Sequence, residues 1–488
     1  MSTQTFISAE GESGGRGSLI QEAWFARRRS TLGPWLNGDT SARAVLGIFL
    51  IFGTLLGVAA SALASREEPA RAAPAVPALS PAVPALSPAG FDEVPLPLFP
   101  ALRRAKLTAS DGAVNDSFGY SVAVSRDIAV VGAPYDDTPA GNDAGSVYVF
   151  ARSGNVWTER ARLLASDGTA HDNFGFSVAV DGDTVVVGAW IDDTSGGSDA
   201  GSAYVFVRSG NSWTEQAHLT ASDGAPFDLF GLSVAVSGDT AVVGADADDT
   251  ARGTNAGSVY VFVRSGNVWS EQAHLVASDG APFDLFGAWV AVDGNTAVVT
   301  APGDDTLGGV DTGSAYVFVR SGDVWTEQAR LFASDGAEYD YFGGSVAVDG
   351  DTVVLGAWDD TDAGTLAGSA YVFVRSGNVW TEQAHLFASD GADYDYFGTN
   401  SVAVSGNTIV VGAYGDDTEA GIDAGSAYVF VRSGNVWSER AHLTAPDGAA
   451  YDAFGYSVAL SRSTALVGAS FDTTPAGFAA GSAYVFRH

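Results

Sequence analysis

The chain has 488 residues, and 58 Asp+Glu against 24 Lys+Arg give it a net charge of −34. That balance argues against nucleic acid as a partner, since phosphate binding requires clustered Lys and Arg; with no Cys, disulfides, thiolate zinc sites and cysteine nucleophiles are excluded as well. A hydrophobic content of 46% excludes a disordered acidic chain, and 60 Gly point to β-structure rich in turns.

Residues 1–43 are polar and rich in Gly and Ser, with Arg27, Arg28, Arg29 and Arg43, and are expected to be a disordered cytoplasmic segment. Residues 44–65 (AVLGIFLIFGTLLGVAASALAS) carry no charge and are long enough as a helix to cross a hydrocarbon core of roughly 30 Å. The arginines before this span place the N-terminus in the cytoplasm and the rest outside. Ala60-Ser61-Ala62 and Ala62-Leu63-Ala64 would suit a signal peptidase and release a secreted product. A leader of more than forty residues favours a single-pass signal anchor in the cell membrane. Residues 66–100 form a Pro/Ala-rich linker in which PAVPALS occurs at Pro74–Ser80 and again at Pro81–Ser87. Proline fixes φ and removes a donor, so an extended spacer is expected.

Residues 101–488 hold a net −33, leaving the first hundred residues near neutral. Within them a Phe-Gly pair recurs seven times, at Phe118, Phe174, Phe230, Phe286, Phe342, Phe397 and Phe454, with spacings of 56, 56, 56, 56, 55 and 57. Each unit reads as four strands; after Phe174 these are FGFSVAV, TVVVGAW, GSAYVFV and SWTEQAHL. The first three are apolar nearly throughout, as strands covered on both faces should be, and the fourth alternates like an outer strand. Repeated four-stranded units describe an all-β, seven-bladed β-propeller. The last unit ends at its third strand, and Ala101–Leu107 (ALRRAKL) runs into TASDG as Trp213–Leu219 does, so an N-terminal strand should close the final blade.

The run FG, SVAV, VVGAP (Val130–Pro134) and GSVYVF (Gly145–Phe150) resembles the FG-GAP repeat of integrin α-subunit propellers and of many bacterial and algal surface proteins. The resemblance implies an extracellular propeller whose upper face binds protein ligands, with calcium held between the first two strands of some integrin blades. Here that loop is as short as Asp181-Gly182-Asp183 or Ser405-Gly406-Asn407, a hairpin turn too poor in oxygens to enclose calcium. The integrin calcium sites are therefore not carried over. The chain is closer to short-loop members, for which the resemblance implies no established activity.

Because strand direction alternates, the loop between second and third strands shares one face, the upper, with the interblade connection. That face should carry 36 of the 50 acids of residues 101–488, while Arg152, Arg208, Arg264, Arg320, Arg375 and Arg432 mark the lower. Candidate ligand-binding residues of the upper face are the pairs Asp136-Asp137, Asp192-Asp193, Asp248-Asp249, Asp304-Asp305, Asp359-Asp360 and Asp416-Asp417, with Trp190, Trp358 and Tyr414 beside them. Aspartate also stabilises turns through its own backbone, and a residue repeated in nearly every blade suits that role equally. A divalent cation held between Asp116-type and Asp136-type carboxylates leaves calcium open; otherwise no cofactor or metal is expected. The aromatic residues Phe227, Phe283, Tyr339, Tyr394 and Tyr451 lie just ahead of the interblade Asp. His218, His274, His385 and His442 share a position with Lys106, Arg162 and Arg330, which reads as a solvated polar place on an outer strand. In blade 4, Trp289 replaces Ser and Thr300 replaces Gly, changes that should compensate sterically.

No nucleophile-base pair is apparent, so an enzyme is not expected. The leading expectation is an adhesion or recognition module for an extracellular protein or glycan. The alternatives are a carboxylate-based glycan hydrolase or lyase and a cation-stabilised structural surface domain.

Overall fold

Runs of β-branched and aromatic residues broken by Gly-containing turns give 28 strands among the residues described by the computed structural model, 103–360 and 364–487. The segment 1–43, the apolar span 44–65 and the linker 66–100 lie outside them. Among the described residues no helix is long and apolar enough to cross a membrane. In blade 1 the strands Ser121–Ser125, Ile128–Ala133, Ser146–Ser153 and Val156–Leu163 pair antiparallel in chain order, and five further blades repeat the pattern.

Neighbouring sheets cover both faces of each second strand, which is therefore buried along its whole length, as at Ile128–Ala133 and Thr240–Ala245. Burying a valine such as Val130 or Val131 contributes roughly 1.5–3 kcal/mol relative to leaving it in water. The third strand is buried for five residues and then emerges at its Arg-Ser end. First strands meet the sequence expectation in some blades, as at Ser233–Ser237, which is buried at four of its five residues, and depart from it in others. Ser121–Ser125 alternates buried with half-buried residues and Ser177–Asp181 is half-buried throughout, because first strands pack side by side around the axis and leave one face to the central channel.

Blade 7 consists of Phe454–Ser461, Thr464–Ala469 and Ser482–Arg487, and Arg103–Leu107 supplies its outer strand, with Lys106 opposite Tyr484. The lower face closes the ring a second time. The N–H of Gly182 donates to Ser125 of the preceding blade, and the same link recurs from Gly238 to Asp181, Gly294 to Ser237, Gly350 to Asp293, Gly406 to Asp349, Arg462 to Ser405 and Arg126 to Ser461. These links pass through all seven blades, including the junction between blades 7 and 1.

Outer strands are joined by two further devices. A β-bulge opposite the third strand, as between Val205 and Phe206, sets one extra outer-strand residue aside. In four blades this residue is Gln216, Gln272, Gln328 or Gln383, whose side-chain oxygen accepts the indole N–H of Trp269, Trp325, Trp380 or Trp437 in the next blade. The outer-strand Glu then accepts from a Ser in the preceding interblade loop, as Glu159 does from the N–H and hydroxyl of Ser110. At the seam both partners change together, because Pro446 stands where the loop has Ser and Arg103 where the outer strand has Glu.

Blade 4 shows why Trp289 and Thr300 occur together. In the other six blades a Ser hydroxyl such as that of Ser121 donates to the Gly carbonyl of the next blade, close beside a glycine on the second strand. A Cβ built on Gly132 would lie 2.1 Å from the Gly175 carbonyl oxygen and 2.3 Å from the Ser121 hydroxyl that donates to it, so a side chain at 132 is incompatible with that hydrogen-bonded arrangement. Thr300 fills that space, its hydroxyl accepts the Trp289 N–H at 3.2 Å, and the Trp289 side chain is left partly exposed.

Candidate functional site on the upper face

Each blade brings two loop aspartates onto the inner end of its third and fourth strands. In blade 1 the buried Asp136 accepts from the Ser146 hydroxyl at 2.5 Å, and the Tyr148 hydroxyl lies 2.8 Å from Asp111 and 3.1 Å from Asp136. One phenolic proton cannot serve two carboxylates, and Arg162 supplies the missing positive charge by pairing with both. Arg330 pairs likewise with Asp279 and Asp304, and Lys106 reaches Asp447 at 2.7 Å and Asp472 at 2.6 Å across the seam. Burial opposes the charge on Lys106, but hydrogen bonds to Asp447, Asp472 and Tyr484 outweigh it and raise its pKa. His218, His274, His385 and His442 occupy the same place in blades 2, 3, 5 and 6. The position therefore bridges two loops, with a permanent cation in three blades and a histidine in four. The expectation of a merely solvated side chain is corrected, because the outer strand here runs beneath both upper loops.

The six Asp pairs divide by depth. Asp136, Asp192, Asp304 and Asp416 are buried and accept from the Ser and Tyr of their third strand. Asp248 accepts from Tyr260 at 3.3 Å. Their sequence neighbours Asp137, Asp193, Asp249, Asp305 and Asp417 are exposed, and each accepts one backbone N–H six residues ahead, from Asp143, Asp199, Asn255, Asp311 or Asp423. Blade 5 is shifted by one residue because its loop is shorter. Asp360 takes the inner place, accepting from Ser369 at 2.6 Å and Tyr371 at 2.9 Å, and Asp359 precedes it. Burial first, then the charges of Asp340 and Asp360, push the Asp359 carboxyl up to about 6.

The second interblade Asp caps its own loop. Asp116, Asp228, Asp284, Asp395 and Asp452 each accept the backbone N–H three residues back, at 2.6 or 2.7 Å. Burial, only partly offset by that hydrogen bond and reinforced by neighbouring carboxylates, raises Asp116, Asp228 and Asp452 to about 6 and Asp284 and Asp395 to about 7. Asp246, unique to blade 3, is buried with one carboxylate oxygen unpartnered, and burial raises it to about 7. Among the described residues no three His, Cys, Asp or Glu side chains converge to hold a metal ion.

The aromatic candidates pack inward. Trp190 is buried against Phe176 with centroids 4.9 Å apart, Trp358 lies 4.9 Å from Tyr341, and Tyr414 stacks on Tyr396 at 5.0 Å and tilts against Tyr456. Exposed aromatics are found instead at the interblade residues Phe227 (61% exposed), Phe283 (47%) and Tyr451 (40%), and also at Phe332, Phe478 and Trp289. The φ values of the three interblade residues are 71°, 70° and 71°, a left-handed backbone that bulky residues rarely adopt. Each is fixed by a backbone N–H donated to the preceding blade's upper loop, at Ser198, Thr254 or Ile422. That loop adds exposed Leu307, Ile422 and Phe478, which sequence reasoning did not single out. Their signal was variation at positions where other blades carry small or polar residues.

Seven FG-GAP repeats are matched, over residues 102–150, 157–206, 213–262, 269–318, 325–373, 380–430 and 437–486. The chain belongs to the FG-GAP repeat family. Every matched FG-GAP segment begins on or beside the outer strand of one blade and ends on the third strand of the next, so the repeat unit straddles the boundary between consecutive blades. Comparison with curated proteins gives no match.

Proposed function

We propose that this FG-GAP propeller is exported, tethered to the cell membrane through residues 44–65, and recognises an extracellular protein or glycan ligand with its upper face. The FG-GAP propeller is a fold often used for extracellular ligand recognition, and the family is typically non-enzymatic. The observation that carries the reading is the set of exposed Phe227, Phe283 and Tyr451, held on left-handed backbone and docked through their N–H groups on the upper loops that carry the exposed Asp193, Asp249 and Asp417. Holding a bulky residue in that conformation costs on the order of 1 kcal/mol. Aromatic side chains flanked by acids offer a ligand both apolar area and hydrogen-bond acceptors.

A glycan hydrolase would need two carboxyl groups facing an open cleft. Asp116-type groups are buried beneath their own loop N–H and Asp136-type groups are engaged by Ser, Tyr and the bridging cation, so recognition has the better support. The test is binding of the full-length chain to a glycan array and to the proteins of its own cell surface. Phe227→Ala combined with Phe283→Ala is expected to weaken binding at least about tenfold with the melting temperature unchanged. Equal binding by a control protein of the same charge, or undiminished binding by the double variant, would defeat the proposal.

A further inference from the structure

The bridging position differs among blades in one chemical respect. Blades 1, 4 and 7 hold a permanent cation there, Arg162, Arg330 or Lys106, whereas blades 2, 3, 5 and 6 hold histidine. His385 sets Nδ1 3.1 Å from Asp335 of the interblade loop and Nε2 3.1 Å from Asp360 of the upper loop. His442 lies 3.5 Å from Asp390 and 3.4 Å from Asp416, His218 3.2 Å from Asp167 and 3.8 Å from Asp192, and His274 3.6 Å from Asp223 and 3.7 Å from Asp248. A neutral imidazole has one N–H and one lone pair, so one of its two carboxylates would face a lone pair; only the imidazolium satisfies both.

The remaining surroundings favour the cation too. Each ring lies flat on a third-strand tyrosine, His218 on Tyr204 at 4.4 Å, His274 on Tyr260 at 4.5 Å, His385 on Tyr371 at 3.9 Å and His442 on Tyr428 at 4.5 Å. Phe387 flanks His385 at 4.1 Å and brings no charge, and Glu439 of the same strand adds a further negative charge near His442. Asp172, on the next turn of chain after Asp167, contributes another negative charge near Asp192.

We propose that His218, His274, His385 and His442 are proton-operated clamps, tying the upper loops of four blades to their outer strands when charged and releasing them when neutral. The other three blades, held by Arg or Lys, stay clamped. Hydrogen bonding to Asp416 outweighs burial and raises His442 above the ordinary imidazole value, while Asp416, pushed up by burial, is brought below its usual range by hydrogen bonds from His442, Ser426 and Tyr428. A group raised in the folded state stabilises it fully at pH below the ordinary value and ceases to do so as pH climbs through the raised one. The His442 clamp is thus closed in mild acid and open in mild alkali, and His218, His274 and His385 are inferred to work alike from the same placement between two carboxylates. This inference does not depend on whether the upper face binds a ligand.

The test is amide hydrogen exchange of the full-length chain at about pH 5.5 and about pH 8.5, with intrinsic rates corrected, because these bracket the ordinary imidazole range. Upper loops of blades 2, 3, 5 and 6 should lose protection about tenfold more than those of blades 1, 4 and 7 on going to the higher pH. Raised interblade carboxyls also titrate, but they precede blades of both kinds, Asp116, Asp284 and Asp452 ahead of blades 1, 4 and 7 and Asp228 and Asp395 ahead of blades 3 and 6, so their effect is shared by the two groups compared. Replacing all four by arginine (His218→Arg, His274→Arg, His385→Arg, His442→Arg) should make the seven blades respond alike. An equal response in the wild-type blades, or a blade difference that survives the arginine replacements, overturns the proposal. Should the quadruple variant fail to fold, 15N chemical shifts of the wild-type imidazoles near neutral pH decide: doubly protonated rings support the clamps, and a single neutral tautomer sinks them.

Discussion

Two aspartates adjacent in sequence have opposite fates in this propeller. Asp192 is buried against Ser202, Tyr204 and His218, and Asp193 is exposed with one oxygen on a backbone N–H. The same division recurs at Asp136-Asp137, Asp304-Asp305 and Asp416-Asp417. A repeated Asp-Asp pair is thus two devices, one that joins loop to strand and one that shapes the loop and faces solvent. The net charge of the upper face divides accordingly between carboxylates committed to internal partners and those open to a partner outside.

Removing an inner carboxylate should have the largest effect. Asp136→Ala removes the acceptor of Ser146 and one of the two acceptors of Tyr148 and Arg162, which keep Asp111, and a loss of about 2 kcal/mol, read as a lower urea midpoint, is expected because buried hydrogen bonds to a charged group are lost. A loss no greater than that of Asp137→Ala would erase the distinction between the two rings.

Asp284→Asn gives an intermediate, pH-dependent effect. The folded carboxyl is raised to about 7, so its contribution is full below the unfolded value and is lost as pH rises toward 7. Asparagine keeps the acceptor for the Ala281 N–H without a charge, so the variant should be more stable than wild type by on the order of 1 kcal/mol at pH 8, with the gain fading toward pH 4. A pH-independent difference in melting temperature would show that charge is not what distinguishes this carboxyl from its exposed neighbours.

The smallest stability effect belongs to the outer ring. Asn at Asp137, Asp193, Asp249, Asp305 and Asp417 retains the acceptor for the loop N–H, and each single change should shift stability by less than about 0.5 kcal/mol. The combined variant should instead weaken the salt dependence of ligand binding, measured by titration at two ionic strengths. Unaltered binding with a large drop in stability would invert the roles assigned to the two rings.

Much of the architecture was legible because it depends on periodicity. The Phe-Gly spacing marked seven units, and the missing fourth strand at the C-terminus matched the spare strand expected at Ala101–Leu107, of which Arg103–Leu107 pairs with Ala483–Arg487 as that arithmetic requires. The compensation between Trp289 and Thr300 was also visible as a double departure from the repeat. The role of His218, His274, His385 and His442 was not. Exchange with Lys and Arg is equally compatible with a solvated place, and the partner Asp residues lie 25 or more positions away, in two different loops. The half-open first strands escaped notice as well, since small apolar residues suit a narrow channel and a covered sheet alike.

By itself the sequence determined the fold, the number of blades and their closure, because these follow from strand patterning and from the spacing of the repeat. Only the tertiary structure decided which carboxylates are spent internally, which aromatics reach solvent and which blades carry a titratable bridge. Those properties depend on depth and on contacts between loops far apart in the chain, and a repeat that writes the same residue into every blade cannot express depth.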